Sequence, residues 1–241
     1  GKKGYKGGSG VRGVRLAQPY NAPRVQDYLE GGLRFKCMVA VDFTAENGAS
    51  PSSPDSLHFL GTDGSVVSNP YAATLAVLGS VMQKLNGGRP FTAVGFGGKP
   101  TSASSKAAKA KRASLPAGVF PLSPSGDTSV AGPSELVDAY RATAASVTPS
   151  SSRAYAPLLA AASDGVSSEG RLAQTNQHYT LLALLTCGPM SDAEATVQHL
   201  LATTRAPLSV LVVGVGRERG VIETRFAGVR ALDEQLGGLH V

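Results

Sequence analysis

A chain of 241 residues, 42% hydrophobic and 17% charged, has the length and apolar content for one α/β domain with extra loops. It holds no run of about 18 apolar residues, so no membrane-spanning helix is expected. Its two cysteines, Cys37 and Cys187, are too few for a disulfide framework or a cysteine-built zinc site and suit a reducing compartment.

The net charge of +6 gathers at Lys2, Lys3 and Lys6 and in the stretch Lys106–Arg112. In the second cluster Lys106, Lys109, Lys111 and Arg112 are candidates for contact with phosphate or anionic lipid, and a solvated loop is the plainer account. Nucleic acid is not expected there, because no aromatic residues are interleaved for base stacking. The chain opens on Gly1 without the apolar core of a signal peptide, and reads as part of something longer.

Residues 1–32 are Gly-rich, basic and then irregular. The run Leu33–Phe43 changes from alternation to continuous apolar character, as in a central strand buried on both faces. A loop rich in Ser, Pro and Asp follows, from Thr44 to Ser68. Asn69-Pro70 then opens a helix, with Leu75, Leu78, Met82 and Leu85 on one face and Asn86-Gly87-Gly88 as the stop. Phe91–Phe96 predicts the second strand. Residues 99–118 are low in complexity and read as a mobile basic surface loop. Ala117–Leu122 suits a short edge strand between Pro116 and Pro121.

Further along, Pro133–Val147 predicts a helix burying Leu136, Val137 and Tyr140, and Ala156–Ala162 a second. His178–Thr186 is another buried strand. Asp192–Thr203 is a helix with Val197, Leu200 and Leu201 inward, and Leu208–Val215 the last clear strand. The tail from Arg217 has room for one more helix or strand. Strands alternating with helices predict a doubly wound, mainly parallel α/β sheet covered on both faces, with one short antiparallel edge strand. Such sheets bind ligands at the carboxyl ends of their strands where strand order reverses, which draws the eye to the segment after Val41.

That segment carries Asp42, Thr44 and Glu46 at alternate positions, three oxygen-bearing side chains of the kind hard divalent cations prefer. Cys187 ends a strand and is a formal candidate for a nucleophile, although no histidine is placed beside it by sequence, and catalysis is not expected. A bond between Cys187 and Cys37 is not expected either, since Cys37 lies five residues before its strand end, roughly 16 Å away at about 3.3 Å per residue. Gly214-Val-Gly216 echoes a dinucleotide loop only loosely, because it follows the last strand rather than the first.

The string VAVDFTAEN around Asp42 resembles the metal-site strand of copines, and the resemblance continues along the chain. It takes in Ser53–His58, the strand FTAVGFGG at Phe91–Gly98, the helix segment Glu135–Arg141 and the late strand LSVLVVGVG at Leu208–Gly216. Lys2–Gly10 and Tyr28–Gly32 are similar to the linker that follows the lipid-binding domain in that family, so residues 1–32 are expected to be a linker or remnant and residues 33–241 a copine-type von Willebrand A domain.

The resemblance implies a metal site built from a first loop of the form DxSxS, a Thr from a second loop and an Asp after a later strand. Asp42 and Thr44 match it, while Glu46 stands in place of Ser and Cys187 in place of Asp. The second-loop Thr falls at Arg153 if Tyr155-Ala156-Pro157 anchors the comparison, with Ser151 or Ser152 as the alternative registers. Arginine stays protonated and donates no electron pair, and cysteine is too soft for Mg²⁺ or Ca²⁺. The expectation is therefore a vestigial site without a cofactor, in which Arg153 pairs with the carboxylates. A weakened site for Mg²⁺, Mn²⁺ or Ca²⁺ on Asp42, Thr44 and Glu46 is the alternative.

By resemblance the function is non-enzymatic: a scaffold that binds protein partners within a larger assembly, in the cytoplasm or another reducing compartment. The alternatives are a metal-dependent copine-like domain tied to calcium-dependent phospholipid binding at a peripheral membrane surface, and the A domain of a ubiquitin ligase whose RING lies outside this chain.

Overall fold

The computed structural model describes residues 29–48, 50–61, 69–101, 110, 113–167, 177–203, 206–227 and 230. The chain divides into two units, residues 1–32 and 33–241. Within the first, residues 29–32 form one turn closed by the Gly32 amide on the Leu29 carbonyl at 3.1 Å, with Gly32 in the left-handed region at φ 95°. The basic residues Lys106, Lys109, Lys111 and Arg112 lie outside the described residues.

In the second unit, strands β1 (Arg34–Asp42), β2 (Phe91–Phe96), β7 (His178–Thr186) and β8 (Leu208–Gly214) are parallel neighbours. Two short strands, β4 (Val119–Pro121) and β5 (Ser129–Val130), pair antiparallel with β2, and the sheet runs β4-β2-β1-β7-β8. The antiparallel edge expected between Pro116 and Pro121 is therefore present. Chain order reverses at β1, which is continued by β2 on one side and flanked by β7 on the other. Asp42 closes β1 at this switch point, opposite Phe96 of β2.

Alternation along β1 divides the core between the two faces. Phe35, Cys37, Val39, Val41 and Phe43 pack with helices α1 (Pro70–Leu85) and α2 (Pro133–Ala144). Met38 and Ala40 pack with Leu158, Leu159 and Ala162 of helix α3 (Ala156–Ser167) and with Leu200 of helix α4 (Ala193–Ala202). Helix α1 starts where Asn69 and Pro70 predict: the Asn69 side chain accepts from the Ala72 amide at 2.8 Å. Among the described residues of the tail, Arg219–Arg225 form helix α5.

Two helix ends, one strand pair and one helix face differ from the sequence reading. Helix α2 ends at Ala144, not Val147, because the Ser146 amide and hydroxyl both turn back onto the Thr143 carbonyl, at 2.9 and 3.1 Å, and Val147 enters a strand. That strand, β6 (Val147–Pro149), pairs with β3 (Gly98–Pro100) in a two-stranded antiparallel sheet that the Pro-rich sequences did not suggest. Helix α3 runs five residues past Ala162, through Gly165. On α4 the inward face is centred on Thr196 and Leu200, one position round from the expected one. Leu201 is consequently exposed, not inward.

Candidate functional site

Four loops meet above the carboxyl end of β1, and backbone hydrogen bonds join them before any side chain is considered. The Phe43 amide donates to the Phe96 carbonyl, Ser150 to Gly97 and Ala45 to Ser150, all within 2.8–2.9 Å. Arg153 and Ser191 exchange a pair: the Ser191 amide donates to the Arg153 carbonyl at 2.8 Å and the Arg153 amide to the Ser191 hydroxyl at 3.1 Å. Asp192 accepts from the Tyr155 and Ala156 amides at 2.8 and 2.9 Å, which fixes the start of α3 to the loop after β7. Gly97 sits at φ 70°, and a Cβ there would lie 2.5 Å from Thr44 Cγ2, so only glycine allows the β2 loop to approach so closely.

Into this frame the structure brings all five of the residues singled out by sequence. Arg153, 3% exposed, donates through Nε to Asp42 Oδ2 at 2.8 Å and through Nη1 to the Pro189 carbonyl at 3.0 Å. Its Nη2 lies 2.8 Å from Thr44 Oγ1, 3.2 Å from Cys187 Sγ and 3.1 Å from Glu46 Oε2. Neither Ser151 nor Ser152 takes this place; both are exposed. Burial alone works against the Arg153 charge, but the attraction of Asp42, reinforced by the hydrogen bonds to Asp42 and Glu46, holds it more firmly protonated than an ordinary arginine. Gly188 forms one wall: a Cβ there would meet Arg153 Nη1 at 2.7 Å.

Asp42 is fully buried and both of its carboxylate oxygens are hydrogen-bonded. Oδ1 accepts from the Thr44 amide at 2.8 Å, and Oδ2 accepts from Arg153 and from the Thr186 hydroxyl at 2.6 Å. Burial pushes the Cys187 thiol up to about 11, with Asp42 adding to the effect, so the group is a thiol near neutral pH and not a thiolate nucleophile. Both cysteines are buried and unbridged. Among the described residues, no three His, Cys, Asp or Glu side chains cluster as metal ligands would.

A second layer lies below, and the sequence reading did not assign it. Asn47, 1% exposed, donates to the Asp42 carbonyl at 3.2 Å and the Thr44 carbonyl at 3.1 Å, and accepts from the Tyr71 hydroxyl at 2.7 Å. The His58 ring is stacked between Phe43 and Tyr71, with centroids 4.7 and 4.4 Å away. Its Nε2 meets the Asp42 carbonyl at 2.8 Å and its Nδ1 the Tyr140 hydroxyl at 2.9 Å. A carbonyl only accepts, so Nε2 carries the proton, and the Tyr140 hydroxyl, which also lies 3.2 Å from Asn69 Oδ1, has a single proton to share between that oxygen and Nδ1. Burial lowers the His58 pKa to about 4, which keeps the ring neutral. The one available signal was the copine-like stretch ending at His58, which marks the residue without saying where it reaches.

A family model described as Copine matches residues 56–236, a span that includes Arg153 and Cys187. The chain is 33% identical over 201 residues to Nicotinic receptor-associated protein 1 of Caenorhabditis elegans, covering 81% of this chain and 28% of that protein. It is 31% identical over 191 residues to Protein BONZAI 1 of Arabidopsis thaliana, covering 79% of this chain and 30% of the relative. With Copine-D of Dictyostelium discoideum the identity is 29% over 243 residues, covering 99% of this chain and 41% of the relative. The chain thus spans less than half the length of each of these relatives. The matched family model and the long collinear similarity place this chain in the copine family.

Proposed function

We propose that this chain is a protein-interaction module that engages its partner without a divalent cation, the guanidinium of Arg153 serving as the site's resident positive charge. The observation that carries this reading is the position of Arg153 Nη2, within 3.2 Å of Thr44 Oγ1, Cys187 Sγ and Glu46 Oε2 at once. A Mg²⁺ or Ca²⁺ ion needs oxygen donors at about 2.0–2.6 Å. Here the oxygens of Asp42 and Thr44 are already committed to N–H and O–H donors, and the remaining neighbours are a protonated thiol and the Glu46 carboxylate, which is itself paired with Arg153. Those residues do not fit a hard cation, and they fit a guanidinium well.

Binding rather than chemistry is supported by the family and by the state of Cys187. His58, the titratable ring nearest Asp42, is turned towards Tyr140 and the Asp42 carbonyl and is held neutral. One relative's name states association with a nicotinic receptor, in keeping with a family that attaches to other proteins. Two buried, unbridged cysteines suit a reducing compartment.

The test is thermal unfolding with MgCl₂, MnCl₂ or CaCl₂ against EDTA, on the unaltered chain and on Arg153→Thr/Cys187→Asp. A ligand that binds only the folded state raises the melting temperature as it saturates. The unaltered chain should show no saturable rise, and the double variant, which restores two oxygen donors, should acquire one. A rise in the unaltered chain that disappears in Asp42→Ala would establish a retained metal site and remove this reading.

A further inference from the structure

The three acceptors around Arg153 Nη2 are not equivalent. Nη2 carries two N–H groups, and Thr44 Oγ1 and Cys187 Sγ suffice to satisfy both. Thr44 and Cys187 are buried, whereas the Glu46 side chain is 60% exposed and reaches Nη2 from the solvent side at 3.1 Å. Glu46 can therefore leave without stranding a buried donor, and its own carboxylate regains water when it does.

Charge points the same way. Exposed Arg225 donates through Nη1 to the Cys187 carbonyl at 3.2 Å, so a second guanidinium stands beside the same residue that Arg153 touches. Among the described residues, Arg153 and Arg225 balance Asp42 and Glu46 with no net charge. With Glu46 turned away, Asp42 still neutralises one guanidinium and a single positive charge is left at the mouth. That vacated position suits one monoanionic carboxylate held by charge, as Glu46 is, with Gly188 offering no Cβ to obstruct it.

We propose that Glu46 occupies, within its own chain, the seat where an acidic side chain of a protein partner docks on Arg153, so that partner binding exchanges one carboxylate for another. Glu46 thereby acts as a built-in competitor that sets the affinity of the site. This inference rests on the metal-free reading above, since it makes Arg153 the receiving cation.

The experiment uses sodium acetate as the probe, against sodium chloride at matched ionic strength. Thermal unfolding is followed for the unaltered chain and for Glu46→Ala. NMR of the Arg153 Nε–H group reports where acetate binds, without requiring an Arg153 variant to fold. Glu46→Ala should show a saturable, acetate-specific stabilisation with movement of the Arg153 Nε–H signal. The unaltered chain should need roughly tenfold more acetate, because a tethered Glu46 competes at high effective concentration.

No acetate effect in Glu46→Ala, or an effect that leaves the Arg153 signal unmoved, overturns the proposal. Inorganic phosphate stabilising where acetate does not would overturn the carboxylate assignment. The same variant is titrated with MgCl₂ against EDTA: a metal-dependent rise would sink the metal-free reading itself, whereas silence towards both probes sinks only the exchange.

Discussion

The two sides of the Arg153 guanidinium are built from the same chemistry and behave as different materials. On the inner side the Asp42–Arg153 pair has side chains only 0% and 4% exposed, and both carboxylate oxygens of Asp42 are hydrogen-bonded. On the outer side Glu46 meets the same guanidinium at a similar distance with a side chain 60% exposed. Water separates the cases. A buried pair is costly to break because removing one partner strands the other in a medium that cannot solvate it. An exposed carboxylate exchanges its partner for water at almost no cost. The inner side is thus a structural pin, and the outer side is available for exchange.

The largest effect should come from breaking the pin. Arg153→Met leaves Asp42 buried and unpaired and should cost about 3–5 kcal/mol of unfolding free energy in a denaturant titration. Asp42→Leu combined with Arg153→Met should cost much less than the sum of the two single changes, and strict additivity would show that the pair is not coupled.

Acid should act next, through His58. Burial takes its folded pKa to about 4, below the ordinary histidine value of 6.5. The unfolded chain therefore takes up a proton that the folded chain refuses. The stabilisation is complete above pH 6.5, declines as pH falls, and is lost once pH passes below about 4, amounting to about 3 kcal/mol. The His58 ring signals should show no titration between pH 8 and 5 by NMR; a midpoint near 6.5 would break the account.

Thr186→Val removes one donor from Asp42 while keeping the shape, and should cost about 1–3 kcal/mol. Glu46→Gln should be the mildest change, below about 1 kcal/mol, and should be further masked by salt. A Glu46 effect as large as that of Arg153 would erase the distinction between the two sides.

The sequence shows the parts of this site that lie at strand ends. Asp42, Thr44, Glu46 and Cys187 follow apolar runs that announce β1 and β7, and the ends of parallel strands converge wherever the crossovers place them. Arg153 is legible only through Tyr155, because the segment between β6 and α3 has no periodicity of its own. The lower layer is a matter of distant pairing: His58 meets Tyr140 across 82 positions and Asn47 meets Tyr71 across 24, and no local pattern encodes such contacts. Helix α2 looked longer because Ala144 and Ala145 are good helix formers. Its end is set by Ser146 and by the pairing of Val147 with Pro100.

Gly188 imposes an order on how this site can change. A methyl group at position 188 would lie 2.7 Å from Arg153 Nη1, and the guanidinium cannot swing aside while Asp42 and Thr44 hold it. Gly188→Ala should therefore be harmful in the present chain and close to neutral once Arg153 has been shortened to Thr. A substitution whose sign depends on another makes the mutational path one-way: a lineage that fills position 188 first closes the door on the arginine, and one that keeps the arginine must keep the glycine.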